Sequence, residues 1–394
     1  MTKKIIYLDN SATTKVDPKA LEAMIPYFTE KFGNPSSNHE YGLEAEDALI
    51  ESRRIIAKAI GAKEEEIIFT SGGTESNNFA LKGIAFANRE KGNHIITSKI
   101  EHSAILKVCQ WLERQGFEVS YLDVDEEGFV NPEDIRKAIT DKTILVSIMH
   151  ANNEIGTIQD LKTIGEICKE KNIYFHTDAC QSFTKEKIDV KEYNLDLVSL
   201  NSHKINGPKG VGALYIRKGT TIDPLLHGGP QEFRLRGGTE NIPGIVGFAE
   251  ATKEGLKKGH IERMTRLRDH IINEVLNNIE GTKLNGPSGD KRLCNNINIA
   301  FKAIEGEALG GLLNVKNIAT STASACSSLT LDPSHVLKAI HLTDEEANGS
   351  LRISLSRFTS EEEVEKLLTE LPGVVEKLRR ISPFGKLLKK ISPN

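Results

Sequence analysis

Short apolar, β-branched runs alternate along this chain with longer stretches of helical periodicity. Glu66-Ile-Ile-Phe-Thr70, His94-Ile-Ile-Thr97, Glu118-Val-Ser-Tyr-Leu122 and Thr143-Ile-Leu-Val-Ser-Ile-Met149 read as strands. So do Ile173-Tyr-Phe-His176, Leu195-Asp-Leu-Val-Ser-Leu200 and Val211-Gly-Ala-Leu-Tyr-Ile216. Amphipathic helices, such as Ala104 to Gln115 and Leu161 to Lys171, fall between them. That alternation predicts an α/β fold with a mostly parallel sheet covered on both faces. Near the N-terminus, Asp17-Pro18 supplies a cap and a proline for a helix with one apolar face of Leu21, Met24, Ile25 and Phe28. A second helix is expected from Leu43 to Ile60, stopped by Gly61.

The texture changes after about residue 245. One long charged helix is predicted from Glu250 to Ile279, then a turn at Asn285-Gly-Pro-Ser-Gly289. Asn296-Ile-Asn-Ile-Ala-Phe301 and Leu351-Arg-Ile-Ser-Leu355 are strand-like, Glu305 to Asn314 is helical, and Ser360-Glu-Glu-Glu363 is a capping box for a last helix. We expect a large domain over residues 15–258 and a smaller α+β domain formed by residues 1–14 and 259–394.

A chain of 394 residues is long enough for both cores. The net charge of −4 gives no reason to expect nucleic acid as a partner. No apolar run approaches the ~20 residues that span a bilayer, and the N-terminus lacks the apolar core of a signal peptide. The five cysteines are scattered without a C-x-x-C, so neither disulfides nor a zinc or other metal site are expected. A reducing cytoplasmic setting fits this usage.

Two stretches carry the chemistry. Asp178-Ala-Cys-Gln181 and Asn201-Ser202-His203-Lys204 each follow a predicted strand. A buried carboxylate and a buried amine on neighbouring strand ends are costly unless something pairs with both. A pyridoxal phosphate ring does so: the carboxylate keeps the pyridine nitrogen protonated and the amine forms a Schiff base with the aldehyde. Gln181 is placed to bond the ring oxygen. In Thr70-Ser-Gly-Gly-Thr-Glu-Ser76, Gly72 and Gly73 free backbone N–H groups for an anion at a helix N-terminus, and Thr74 adds a hydroxyl. His102 can stack on a flat cofactor and move protons. Asn153 offers an amide to a phenolic oxygen or a substrate carboxylate, and Arg236-Gly-Gly-Thr239 offers a further phosphate contact. Each motif alone has an ordinary alternative: a capped glycine turn, a satisfied core histidine, an Asx turn, a solvent-facing lysine. Their common position at the strand ends of one sheet, where open α/β sheets bind ligands, separates them from those alternatives.

Taken together, these residues resemble the fold-type-I pyridoxal-phosphate enzymes, specifically cysteine desulfurases of the NifS/IscS kind. The resemblance spans essentially the whole chain. Its motifs include Tyr7-Leu-Asp-Asn-Ser-Ala-Thr-Thr14, Gly33-Asn-Pro-Ser-Ser37, Glu101-His102, His150-Ala-Asn-Asn-Glu-Ile-Gly156, Gly207-Pro-Lys-Gly210, Ser324-Ala-Cys-Ser327 and Leu351-Arg352. It implies a large domain with a seven-stranded sheet. Lys204 would hold the cofactor covalently and shuttle the Cα proton, His102 would stack and act as acid/base, and Asp178 would pair with the ring nitrogen. Gln181 and Asn153 would contact the ring oxygen and substrate. Gly73, Thr74, Asn201, Ser202 and His203 would hold the phosphate. Thr239 would reach the phosphate of a neighbouring subunit, so a homodimer is implied, and Arg352 would grip the substrate carboxylate. Two positions depart from the pattern. Asn201-Ser202 stands where relatives often have Ser-Gly, which leaves either Ser202 or the Asn201 amide as the phosphate contact. Ala323 replaces a common glycine before Ser-Ala-Cys.

Cys326 lies in a run of small polar residues that predicts an exposed, mobile loop over about residues 320–334. Cys109, Cys168 and Cys294 are expected to be core thiols, and Cys180 to face away from the ring. The implied reaction takes sulfur from L-cysteine, giving L-alanine and a persulfide on Cys326. An iron–sulfur scaffold protein and other thiolation enzymes are the implied acceptors. The alternatives are a selenocysteine lyase or a small-substrate aminotransferase of the same fold; the latter needs no loop cysteine. A non-catalytic scaffold subunit is disfavoured by the complete Lys204, Asp178, Cys326 and Arg352 set.

Overall fold

The computed structural model describes residues 5–322 and 333–381. Its central sheet has seven strands, in the order Ile67–Thr70, Gly212–Ile216, Leu197–Asn201, Tyr174–Asp178, Thr143–Ser147, His94–Ser98 and Glu118–Leu122. Only Gly212–Ile216 runs against its neighbours; the other pairings are parallel. The central strands are buried end to end, as their continuous apolar sequences require. Successive residues feed opposite layers. Ile96, Val146 and Val198 join a core with Phe175 and Phe248, while Ile95, Leu145 and Leu197 join a second core with Ile84 and Ile105.

A third core, containing Leu267, Ile299, Leu351 and Val375, lies in the C-terminal part. It packs helices His260–Asn278, Gly306–Val315 and Glu361–Ile381 on an antiparallel sheet of Ser350–Ser354, Asn296–Phe301 and Thr282–Leu284. The N-terminal segment joins it: Leu8 is in this core and Ile6–Tyr7 pairs with Ile318–Ala319. The capping box forms as the sequence predicts, with Ser360 N donating to Glu363 Oε2 (3.1 Å) and Glu363 N to Ser360 Oγ (3.2 Å).

Two helices differ from expectation. The charged helix from Glu250 to Ile279 is two helices, Ile242–Gly255 and His260–Asn278, separated at Gly259, whose φ of 89° a longer side chain tolerates poorly. The first helix, Pro18–Met24, is followed by a separate turn, Pro26–Thr29. Its expected apolar face therefore splits. Met24 is buried, whereas Leu21, Ile25 and Phe28 are exposed, as are Phe32, Tyr41 and Leu43.

The N-cap of that first helix also ties the two parts of the chain together. Asp17 accepts from Lys19 N (2.8 Å) and, on its other oxygen, from Arg357 Nη2 (2.7 Å). Burial alone would raise the Asp17 pKa, but the bonds from Arg357 and Lys19 outweigh it and hold it below its ordinary value. Both side chains are less than a tenth exposed. Asp17→Ala is expected to cost about 3–5 kcal/mol in chemical denaturation, because it strands a buried guanidinium. A depressed carboxyl stabilises above the unfolded pKa of about 3.9, so the pair's contribution is lost as pH falls below that value. A cost under about 1 kcal/mol, the range of exposed pairs, would contradict this role.

No described helix is long and apolar enough to cross a membrane. Among the described residues, no cluster of His, Cys, Asp or Glu is arranged to hold a metal ion.

Candidate active site

The carboxyl ends of the parallel strands converge on one cavity of about 340 Å³. Asp178 ends its strand there, Asn201 ends the next, and His203 and Lys204 follow in the turn beyond. Gly73 and Thr74 begin the helix Gly73–Ala87, His102 is the N-cap of Ser103–Glu113, and Asn153 lies in the turn after Thr143–Ser147. The C-terminal part contributes Arg352 from the strand Ser350–Ser354. A larger cleft, about 720 Å³, opens at the opposite end of the sheet. Its Lys169 and Lys171 close the helix Leu161–Glu170, where cations complement the helix dipole, so it needs no ligand to explain its charge.

Asp178 is held by both oxygens: Asn77 Nδ2 donates to Oδ2 (2.7 Å) and the Cys180 amide to Oδ1 (2.9 Å). Lys204 Nζ donates to the carbonyls of Ser11 and Ala12, and Gln181 Nε2 donates to the same Ser11 carbonyl (3.0 Å). His102 Nδ1 accepts from Ala104 N (3.1 Å), which assigns its proton to Nε2. Burial lowers the His102 pKa, and burial with the nearby Lys204 and Lys209 charges pushes His203 down to about 4. Both imidazoles are therefore neutral at pH 7. Arg352 is buried; its Nη2 pairs with Asp9 Oδ1 (2.9 Å) and its Nη1 donates to the Asn153 carbonyl (3.3 Å).

Three observations fit this cavity to pyridoxal phosphate. A Cβ at Gly73 would stand 2.5 Å from Cys180 Sγ, so the helix N-terminus stays open only because glycine is there. Asn77 Oδ1, Asn201 Oδ1 and Arg352 Nε are buried without partners among the described residues, an unusual cost that a polar occupant would relieve. A fixed carboxylate, an amine and a helix N-terminus face the same space, matching a ring nitrogen, an aldehyde and a phosphate.

Most of the sequence-predicted residues come together here: Gly73, Thr74, His102, Asn153, Asp178, Gln181, Asn201, His203, Lys204 and Arg352 line one cavity. Ser202 does not. It is fully buried with its Oγ turned toward Gly207 and without a partner among the described residues, because alternate residues leaving a strand point to opposite sides. Asn201, not Ser202, therefore faces the cavity. Arg236 is engaged by Glu75 (2.9 Å), and Thr239 is exposed and does not reach this chain's cavity. Cys180, expected to face away, lines the cavity. Cys326 lies outside the described residues. Ser321, just before residues 323–332, pairs through its backbone with Arg352 (2.8 and 3.1 Å). Just after them, Ser334 donates to Glu154 and His335 Nε2 bonds the Glu101 carbonyl (3.0 Å).

Four contributors, Asn77, Ser11, Ala12 and Asp9, carried no assignment from sequence. Asn77 lies three residues after Thr74, on the same helical face, and that spacing was the available signal. The Ser11 and Ala12 carbonyls offer no side-chain signal. Asp9 is 343 residues from its partner Arg352, so no local pattern could connect them.

A lysine and an aspartate on adjoining strand ends, with a glycine-opened helix N-terminus, define a pyridoxal-phosphate enzyme of fold type I. Residues 6–367 match the family model for class-V aminotransferases. The chain is 57% identical to a cysteine desulfurase IscS of Methanosarcina thermophila over 97% of this chain and 94% of that one. A solved structure of a NifS-like protein superposes with a TM-score of 0.89 at 39% identity, covering 95% of this chain and all of that one. The structure of SspA in complex with cysteine gives a TM-score of 0.81 at 40% identity, covering 90% and 99%. The chain belongs to the class-V aminotransferase family, within its cysteine desulfurases.

Proposed function

We propose that this protein removes sulfur from L-cysteine, leaving L-alanine and a persulfide on Cys326 for iron–sulfur cluster assembly and other thiolation acceptors. The observation that carries this reading is the single cavity in which Lys204, Asp178, His102 and Arg352 meet, with Ser321 and His335 attached at its rim on either side of the Cys326 segment.

Pyridoxal phosphate, when bound, supplies an aldehyde for amines and a cationic ring that withdraws electrons from the adjoining carbon. Lys204 anchors it and carries the proton to and from Cα. Asp178, with both oxygens fixed, keeps its charge aimed at the ring nitrogen. Gly73, Thr74, Asn201 and His203 hold the phosphate, and Gln181 and Asn153 the ring oxygen and substrate. Neutral His102, its Nδ1 engaged by Ala104 N, would stack on the ring and present its Nε2–H as an acid. Arg352 grips the carboxylate, and its Nε supplies a donor that no other described residue engages. The Cys326 thiolate then attacks the substrate sulfur: an S–S bond forms, the Cβ–S bond breaks, and that carbon takes a proton to become the methyl of alanine. Incubating the purified enzyme with L-cysteine and dithiothreitol should give alanine and sulfide in equal amounts. Alanine without sulfide, or strong preference for selenocysteine, would reject the reading.

Arg352→Lys is expected to raise KM for cysteine about 10- to 100-fold with a smaller fall in kcat, because lysine cannot reproduce bidentate recognition. An unchanged KM would remove Arg352 from substrate binding.

The active unit in this reading is a homodimer. Phe28 and Phe32 are 59% and 64% exposed, Leu21, Ile25, Tyr41 and Leu43 are exposed too, and Phe32 stacks on Tyr41; a second copy would cover these apolar side chains. Exposed Thr239 is then available to a neighbouring subunit's phosphate. Sedimentation should report twice the 43.5 kDa chain mass; a monomer at micromolar concentration would exclude this arrangement. The division into residues 15–258 and residues 1–14 with 259–394 is supported by the separate core around Leu8, Ile299 and Val375.

A further inference from the structure

Lys185 is a buried ammonium that the reaction does not use. It is 8% exposed and does not line the cofactor cavity. Its Nζ faces main chain: it donates to the Gln181 carbonyl (2.8 Å) and to the Lys204 carbonyl (3.3 Å). Among the described residues no carboxylate forms an ion pair with it. Burial pulls its pKa down to about 8, which still leaves it largely charged at neutral pH. A charge held in the interior on carbonyl oxygens alone is costly, and a lysine at such a site calls for a reason.

The surrounding bonds supply one. The Ser11 carbonyl receives both Gln181 Nε2 and Lys204 Nζ. Lys185 joins the same two residues from the other side, through their carbonyls. The ring Lys185–Gln181–Ser11–Lys204 is thus closed by hydrogen bonds at every step, and it fastens the turn after Asp178 to the turn bearing Lys204. The next carbonyl along, that of Ile205, is capped by Arg357 Nη1 (3.0 Å), itself fixed by Asp17. Two buried cations therefore hold consecutive carbonyls of the turn that presents Lys204. We propose that Lys185 is a positioning residue for Lys204, closing the bonded ring that aims the Lys204 amine at the cofactor aldehyde. This rests on Lys204 being the attachment residue.

The test compares wild type with Lys185→Met, Lys185→Gln and Lys185→Arg, each stripped of cofactor with hydroxylamine and reloaded. Pyridoxal phosphate reports covalent capture, read by visible absorption and by borohydride trapping on the Lys204 peptide. Pyridoxamine phosphate has the same ring and phosphate but no aldehyde, so it reports the non-covalent pocket alone. Lys185→Met should slow covalent capture about 10- to 100-fold, the scale of a misplaced reacting group. Its affinity for pyridoxamine phosphate should stay within about twofold. Lys185→Arg should recover most of the capture rate, and Lys185→Gln is read like the methionine variant should that one fold poorly. Capture at the wild-type rate, or equal weakening of both ligands, would overturn the proposal. Wild type failing to trap cofactor on Lys204 is a different result and would overturn the assignment of Lys204 itself.

Discussion

Lys204→Ala is expected to bind pyridoxal phosphate without the visible absorption of an imine and to lose turnover by about 10³-fold or more. Two losses combine in one substitution. The first is the covalent anchor, which in the native chain is directed by the Ser11 and Ala12 carbonyls at its amine. The second is the base that takes the Cα proton. His102 cannot replace it there, because its Nδ1 is committed to the backbone of Ala104 and burial disfavours its charged form. Added methylamine should restore a small part of the rate by supplying a free base. Activity above a tenth of wild type, measured as alanine formation, would show that another group carries the proton.

Cys326→Ala is expected to keep the absorption of bound cofactor, to bind L-cysteine, and to lose sulfide release by on the order of 10³-fold or more, the scale on which removal of a nucleophile is felt. The pair of variants separates the two halves of the reaction, since only the first should alter the resting spectrum. The other thiols cannot substitute. Cys109, Cys168, Cys180 and Cys294 are buried, and burial raises the pKa of each, Cys294 to about 12. A thiol kept protonated is a poor nucleophile. Undiminished turnover in Cys326→Ala would place the protein among the aminotransferases of its fold.

The large sheet was legible because its strands are short, apolar and separated by amphipathic helices, and because Asp178 and Lys204 each directly follow one of them. The side on which a residue emerges from a strand end was harder to read. Ser202 and Cys180 were both misdirected for that reason, one turned away from the cavity and the other lining it. The helix break near Gly259 was missed because charged, helix-favouring residues flank it on both sides, and a single glycine with positive φ decides the outcome. The ion pairs Arg352–Asp9 and Arg357–Asp17 were invisible because they join opposite ends of the chain. The exposed Leu21–Ile25–Phe28 stripe was recognised as apolar, but periodicity alone cannot say whether such a stripe faces its own core or a second chain.

The core that gathers Leu8 with Leu371 and Val375 has a bearing on the order in which the protein is made. That core needs Leu8 together with residues 364–378, so it cannot close until those residues have been synthesised. The strands ending at Asp178 and Asn201, and the turn carrying Lys204, all precede residue 217, and the last of them are joined by a local hairpin to Gly212–Ile216. During translation the N-terminal side of a chain generally folds first. A nascent chain therefore carries the strands and the turn of its cofactor cradle before Cys326 has been synthesised, while Arg352 and Arg357, which fasten that cradle to Asp9 and Asp17, arrive last. Capture of pyridoxal phosphate ahead of the thiol would keep the reactive aldehyde engaged by its proper amine before any cysteine of the sulfur-carrying segment exists to react with it.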